Sequence, residues 1–542
     1  MFIVSLCSLC DIPASPVFGL SPLVQTLYTV AVAALKATLL TLLLSWMARF
    51  KFLKLLRMPV IIIFSLAAAV NFIAYKYYGF GISRRMIAVF LETNRRETGE
   101  FISSMAAEIF SPSSLLNLCV GAAGITVFFL IVRRCGKRLF AWVSGVATLT
   151  GCVAALIFCT VFTTGRTAHS LMLRIARYSV DTYNSRRELM RQMSLMEQFP
   201  ADVDVQSAHS AENIIMIIGE SASRGHLSAY GYPLATSPVV DSMADSLFIF
   251  TDVIGSSTGT SGNMERIMTF KHDDTTFGDG YRYPLVIDFF RKAGYRTYWL
   301  SNQERVGEMS NLSGVLNSRA DMIKYVGADN SEDALLARYD EALLPELTEA
   351  LTDTAQYRFI CMHLLGSHVV YSNRYPPHAA VFTADDLLAM ERNRGKLTRS
   401  MAQTVAEYDN SIRYTDYILG SVIRSVAASE QPSIVLYFSD HGENVYDKPD
   451  APRRDAGAVT VPFIIYLNEA YRRQNPELSE RLGSTVDIPF STANVVYPLM
   501  TLSGSSAPEL YDSTYDFMSD GFTRRVRYVD ELPWTDIDNA YK

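Results

Sequence analysis

Four long apolar stretches lie ahead of Arg166, at Leu23–Met47, Pro59–Tyr75, Leu115–Val132 and Leu139–Thr163. Each has the length at which a helix crosses a bilayer core, about 17–25 residues. Buried helices of a soluble core rarely stay apolar on every face over such lengths. The stretches therefore predict an α-helical transmembrane domain over residues 1–165. Residues 1–20 hold a short apolar run broken by Asp11, Pro13 and Pro16, which leaves a fifth span open. No basic segment precedes that run, so it does not read as a cleavable signal. Lys36 sits inside the first stretch and is expected to face the bundle or to snorkel.

Charge sets the orientation. Arg49, Lys51, Lys54 and Arg57 separate the first two stretches, and Arg133, Arg134, Lys137 and Arg138 separate the last two. Short positive loops stay cytoplasmic. The Tyr78–Ser113 connection, the N-terminus and everything after Thr163 are then external. Arg166–Gln198 mixes apolar and charged residues at helical spacing, as an amphipathic helix on a membrane or domain surface does. Ala201–Ala211 is polar and suits a linker. Residues 166–211 thus read as a bridge, and 212–542 as a globular domain.

From Asn213 the pattern becomes α/β. Strand-like runs fall at Asn213–Ile218, Arg296–Leu300, Arg358–Leu364, Ser433–Phe438 and Val461–Leu467, with helical patterns such as Pro284–Ala293 and Met401–Ala428 between them. This alternation predicts a mostly parallel sheet with helices on both faces. Seven cysteines among 542 residues exclude a disulfide scaffold, and only Cys361 falls in the globular half. That half must be held by its own core, for which about 330 residues are ample. A net charge of −6 argues against a nucleic-acid partner.

Open α/β sheets form their sites beyond the carboxyl ends of the strands. Four predicted strands end in Gly219-Glu220-Ser221, Ser301-Asn302-Gln303, Leu365-Gly366-Ser367-His368 and Ser439-Asp440-His441-Gly442-Glu443. Carboxylates and imidazoles converging on one edge suit zinc or manganese. A closed structural zinc site uses four protein ligands, often cysteine. This set has none and leaves room for a reacting group. A candidate for that group lies in Gly255-Ser256-Ser257-Thr258-Gly259-Thr260-Ser261-Gly262, which precedes a helical run at Asn263–Phe270. A threonine there would meet a phosphate at a helix N-terminus, and a nearby divalent metal would lower the pKa of its hydroxyl.

These motifs resemble those of the membrane-anchored phosphoethanolamine transferases of Gram-negative bacteria, in the alkaline phosphatase/sulfatase superfamily. The resemblance is closest to the branch that modifies lipopolysaccharide core heptose. It is carried by Ile217-Ile218-Gly219-Glu220-Ser221 with His226-Leu227-Ser228-Ala229-Tyr230-Gly231-Tyr232-Pro233, by Tyr437-Phe438-Ser439-Asp440-His441-Gly442-Glu443, and by His363-Leu364-Leu365-Gly366-Ser367-His368 with Arg374-Tyr375-Pro376. The resemblance implies metal ligands at Glu220, Asp440 and His441, and a nucleophile that also touches the metal at Thr260, with Thr258 as the fallback. It gives His368 a substrate-directed role and Asn302 a contact with the phosphoryl group. In the external membrane loop, Leu91-Glu92-Thr93-Asn94 resembles a motif near the lipid substrate, so Glu92 and Asn94 are expected to bind it. Two departures stand out. Four spans are secure where the family has five. A second histidine of the family pattern is missing from Arg453–Val459, where Gly457 falls near its place.

The implied activity is a two-step transfer. The Thr260 oxygen, ionised on zinc (or manganese), takes phosphoethanolamine from phosphatidylethanolamine. It then passes it to lipopolysaccharide, on core sugar or lipid A. The implied protein is a monomer of the bacterial inner membrane with a periplasmic catalytic domain and an alkaline phosphatase-like fold. Three rivals remain at this point. A sulfatase would carry Cys/Ser-x-Pro-x-Arg, and Ser256–Arg266 contains no proline. A phosphoglycerol transferase would share the plan, and a non-catalytic sensor or scaffold would have no need of the intact ligand set.

Overall fold

The computed structural model describes residues 203–275, 283–303, 316, 319–326, 339–391, 396–446 and 456–534. The expected spans, Lys36, the Arg166–Gln198 helix, Glu92 and Asn94 lie outside the described residues. Among the described residues, no helix is long and apolar enough to cross a membrane. The chain divides into two compact units, Met1–Arg187 and Glu188–Lys542, and all described residues belong to the second.

Seven strands form its sheet: β1 (Asn213–Gly219), β2 (Leu247–Ile249), β3 (Arg296–Ser301), β4 (Met322–Tyr325), β5 (Arg358–His363), β6 (Ser433–Ser439) and β7 (Phe463–Leu467). Their spatial order is β2-β7-β6-β1-β5-β3-β4. From β6 to β4 all neighbours run parallel. β7 opposes both β6 and β2, so the sheet is mixed at that edge. β1, β5 and β6 are buried along their whole length, which is why they read as continuous apolar runs rather than alternations. The expected strand Val461–Leu467 begins only at Phe463, because Pro462 has no N–H to donate to a ladder.

Helices cover both faces. On one, Met216, Ile218, Trp299, Phe359 and Phe438 pack with residues of α1 (Thr260–Ile267), α2 (Val286–Lys292) and α5 (Val496–Ser503). On the other, Ile215, Ile217, Ile360 and Tyr437 pack with α3 (Leu343–Thr352) and the second half of α4 (Arg399–Ala427). Cys361, the lone cysteine among the described residues, is buried in β5, where desolvation pushes its thiol pKa well up.

After β1 the chain places β2 at the far edge, builds β3, β4 and β5 on the opposite side of β1, and returns along α4 to lay β6 directly beside β1 on the β2 side. The carboxyl ends of β1 and β6 therefore flank a topological switch point, the crevice where α/β sheets bind ligands.

Candidate active site

Register alone brings the first two acidic residues together. Gly219 is opposite Ser439 in the parallel β1–β6 pair, so the next residues, Glu220 and Asp440, leave the sheet side by side. The Asp440 N–H donates to the Gly219 carbonyl at 3.0 Å. His441 follows. Its Nε2 lies 3.3 Å from Glu220 Oε1 and 3.5 Å from Asp440 Oδ2. One ligand atom from each of Glu220, Asp440 and His441 fits within 4.8 Å of the others, and all three residues are buried.

The hydrogen bonds leave a defined set of atoms for a cation. His441 Nδ1 donates to the Gly442 carbonyl at 2.7 Å, so Nε2 is the ring nitrogen that faces the two carboxylates and, on losing its proton, can ligate a cation. Asp440 Oδ1 accepts from the backbone N–H of Ser221 and of His441. Its buried Oδ2 has no hydrogen-bond partner. Burial, and then the Glu220 charge, push the Asp440 pKa up. Burial would raise Glu220 too. The hydrogen bond and charge of His441, the charge of His368 and the Ser221 hydroxyl overcome it and hold that carboxyl well below the usual range. Two buried carboxylates, an imidazole and an orphaned acidic oxygen form a donor set that fits a divalent metal of the zinc type.

Thr260 completes the cluster. Its hydroxyl donates to Glu220 Oε2 at 2.9 Å and lies 3.4 Å from His441 Nε2. The expected helix over Asn263–Phe270 instead begins at Thr260 itself, with Gly259 as its N-cap. Thr260 thus occupies the first turn, at the positive end of the helix dipole. Asn263 makes the earlier start feasible. Its amide group donates to the Ser257 and Gly259 carbonyls and accepts from the Ser257 N–H, closing the loop onto the first turn. Thr258 points elsewhere, donating to Asp530 at 2.9 Å.

The backbone around Glu220 is held in an uncommon conformation. Ser221 has φ +58°. Its carbonyl accepts the Tyr408 hydroxyl at 2.7 Å, and that same phenol oxygen accepts the Ser223 N–H at 2.8 Å. Strain at a residue beside a ligand persists because its surroundings over-determine it.

His368 is half-buried on the loop after β5, close enough for its charge to favour ionised Glu220. The Arg374 guanidinium donates to the carbonyls of His368 and Val369 and so supports that loop. Asn302, at the end of β3, is buried and donates through Nδ2 to Asp340 Oδ1 at 2.9 Å. Gly457 lies in a buried helical turn, Ala456–Val459, packed directly on Gly442 of the metal loop.

Three carboxylates that brace the loops around this cluster carry no mark in the sequence. Asp340 binds Asn302 and accepts the N–H groups of Leu365 and Gly366, tying the Asn302 and His368 loops together. Asp409 on α4 accepts from the Tyr232 hydroxyl at 2.7 Å and pairs with His226 Nδ1 at 2.7 Å, docking the segment after β1. Asp530 holds the Thr258 loop. His226 and Tyr232 were visible as a motif. Nothing local marks Asp340 or Asp530.

Gly366 gives a direct test of this packing. Its φ is +51°, and a Cβ there would lie 2.8 Å from both the backbone N and O of Glu220. The left-handed conformation alone costs a non-glycine residue about 1–2 kcal/mol, and the backbone atoms have nowhere to retreat. Gly366→Ala is expected to lower both the melting temperature and the zinc content of the full-length protein. A variant with unchanged values of both would show that the loop does not support Glu220.

A family model described as Sulfatase matches residues 212–496, over half of the 542 residues. Phosphoethanolamine transferase EptC of Escherichia coli K12 is 26% identical over 484 residues, covering 84% of this chain and 81% of that protein. The crystal structure of the C-terminal periplasmic domain of E. coli EptC in complex with Zn aligns with a TM-score of 0.56 at 26% identity, over 63% of this chain and 96% of that one. The integral membrane lipooligosaccharide phosphoethanolamine transferase A of Neisseria meningitidis aligns with a TM-score of 0.63 at 18% identity, over 95% and 98%, and so shares the fold. By the extent of the family match, this chain belongs to the Sulfatase family.

Proposed function

We propose that this protein is a zinc-dependent phosphoethanolamine transferase of the bacterial inner membrane. It moves the headgroup of phosphatidylethanolamine to lipopolysaccharide, on core sugar or lipid A, from a periplasmic site. The observation that carries the reading is the Thr260 hydroxyl, 2.9 Å from Glu220 and at the first turn of α1. Similarity to EptC over most of both chains supports the headgroup assignment. The Zn complex of the EptC domain supports a divalent metal at this site, and zinc is the ion proposed.

Glu220, Asp440, His441 and Thr260 would hold the metal. Bound there, zinc supplies Lewis acidity that lowers the hydroxyl pKa and offsets charge developing on phosphoryl oxygens. Glu220 orients the Thr260 hydroxyl and receives its hydrogen bond. Thr260 Oγ gives up its proton to solvent and forms a bond to phosphorus as the bond to the diacylglycerol oxygen breaks. The leaving oxygen takes a proton, for which His368 is the proposed donor. An acceptor hydroxyl or phosphate oxygen then displaces Thr260 from phosphorus and restores the free side chain. The first turn of α1 directs N–H groups at the transferring phosphoryl. Asn302 is the proposed phosphoryl contact, and Glu92 and Asn94 the proposed headgroup contacts. A membrane domain over residues 1–165, bridged by 166–211 to a catalytic domain over 212–542, would keep the site beside two lipid substrates and raise their effective concentration.

Intact-mass spectrometry of the zinc-loaded full-length protein with phosphatidylethanolamine vesicles tests the reading. One phosphoethanolamine adduct on Thr260 is expected. An unmodified protein with zinc bound and no acceptor present would overturn the donor assignment.

A further inference from the structure

A two-stranded hairpin near the C-terminus reaches back onto the loop that carries Thr260. Tyr528–Val529 pairs antiparallel with Leu532–Pro533, with Val529 opposite Leu532. The turn is therefore Asp530-Glu531 alone. Both have positive φ, +49° and +68°. Two-residue hairpin turns that follow the strand twist need this, and usually place glycine second. Glutamate at that position is an unfavourable choice locally, and such strain is retained where the surroundings demand the geometry.

The left-handed turn brings Asp530 against three consecutive loop residues. Its N–H donates to the Ser256 carbonyl at 3.0 Å. Its Oδ1 accepts the Ser257 hydroxyl at 2.6 Å, and its Oδ2 accepts the Thr258 hydroxyl at 2.9 Å. The hairpin is anchored on both sides of this contact. Arg527 forks onto the Asp252 carboxylate at 2.7 and 3.1 Å, just before the loop. The Tyr528 N–H donates to Asp273 at 3.1 Å, beyond α1. Val529 is buried with Ile254 and Val459.

A loop holding Gly255, Gly259 and several hydroxyls has many conformations and more than one hydroxyl to offer a cation. Here these four hydroxyls go to four acceptor oxygens on three residues: Ser256 to Asn263, Ser257 and Thr258 to the two oxygens of Asp530, and Thr260 to Glu220. We infer that Asp530 is a positioning residue that fixes the Ser256–Thr258 turn and occupies the competing hydroxyls, so that Thr260 alone is presented to Glu220 and His441. The inference rests on Thr260 as nucleophile.

The test uses full-length protein and phosphatidylethanolamine vesicles, with Asp530→Ala, Asp530→Asn, the pair Ser257→Ala/Thr258→Val, and Thr260→Ala measured in parallel. Asp530→Ala is expected to lower kcat about 100-fold, the scale of a misplaced reacting group, with KM and zinc content unchanged. Asp530→Asn keeps an acceptor oxygen and adds an N–H, and is expected to recover about tenfold of that loss. Adding Asp530→Ala to the hydroxyl pair is expected to cost little more, because the residues act as one unit. Wild-type kcat in Asp530→Ala, with Thr260→Ala inactive, overturns the inference and leaves the nucleophile assignment standing. So does a joint loss of zinc, melting temperature and activity that Asp530→Asn does not relieve. Full transfer by Thr260→Ala overturns both.

Discussion

Thr260→Ala is expected to slow phosphoethanolamine transfer by about 10⁴-fold or more, the scale on which removing a nucleophile acts. The substitution deletes the Oγ that lies 2.9 Å from Glu220 and little else. Alanine is a better helix former than threonine, so α1 is expected to keep its first turn. Glu220, Asp440 and His441 keep their mutual geometry, because it comes from strand register and from bonds that do not involve Thr260. Zinc content is therefore expected to fall only in part. Thr260→Ser keeps the hydroxyl and is expected to stay within about tenfold of wild type. Product formation on lipid vesicles and zinc content separate these outcomes. A fully active Thr260→Ala would move the reaction to another group. Thr258 is a poor substitute, because its hydroxyl is committed to Asp530.

The parts of the site that were legible in the sequence share one property. Glu220, Asp440, His441, Asn302 and His368 each follow a buried apolar strand within a few residues. In a parallel sheet such positions share an edge, so local pattern and topology together are enough. The carboxylates that were not legible act across long sequence separations. Ser257 and Asp530 are 273 residues apart, His226 and Asp409 183, and Asn302 and Asp340 38. An isolated aspartate in a polar segment carries no mark of the partner it will meet.

The fold divides in the same way. β1, β5 and β6 announce themselves as largely apolar runs, because strands covered on both faces are buried along their whole length. The edge strands β2 and β4 are short and only partly buried, so their sequences Leu-Phe-Ile and Met-Ile-Lys-Tyr resemble ordinary loop flanks. β7 runs antiparallel to β6 and β2, and the turn Ala456–Val459 just before it packs on the loop after β6, where Gly442 meets the Gly457 backbone. That is tertiary packing, with no periodicity of its own. α1 starts at Thr260, three residues ahead of the expected Asn263, because the Asn263 side chain overrides the weak helix signals of Gly259 and Ser261.

Asp440→Asn is expected to abolish activity and, at the same time, to leave the metal-free protein no less stable than wild type. The two effects have one cause. Without a cation, Asp440 shares a buried site with Glu220, and desolvation and that neighbour push its pKa up. An amide of the same shape keeps the oxygen that accepts the Ser221 and His441 N–H groups, and it removes one of two crowded acidic charges while Glu220 still pairs with His441. In the wild type, free zinc at about 1,000 times its Kd is expected to stabilise the fold by about 4 kcal/mol, so chelation should lower the melting temperature by several degrees. In Asp440→Asn the chelated and zinc-supplemented melting temperatures should nearly coincide, and the chelated value should match or exceed that of chelated wild type. Calorimetry of both proteins with and without chelator, alongside zinc content, reads all four states. Full zinc content and activity in the variant would remove Asp440 from the ligand set. A variant much less stable than chelated wild type would mean that the carboxylate is a structural charge, paired in the fold without the metal.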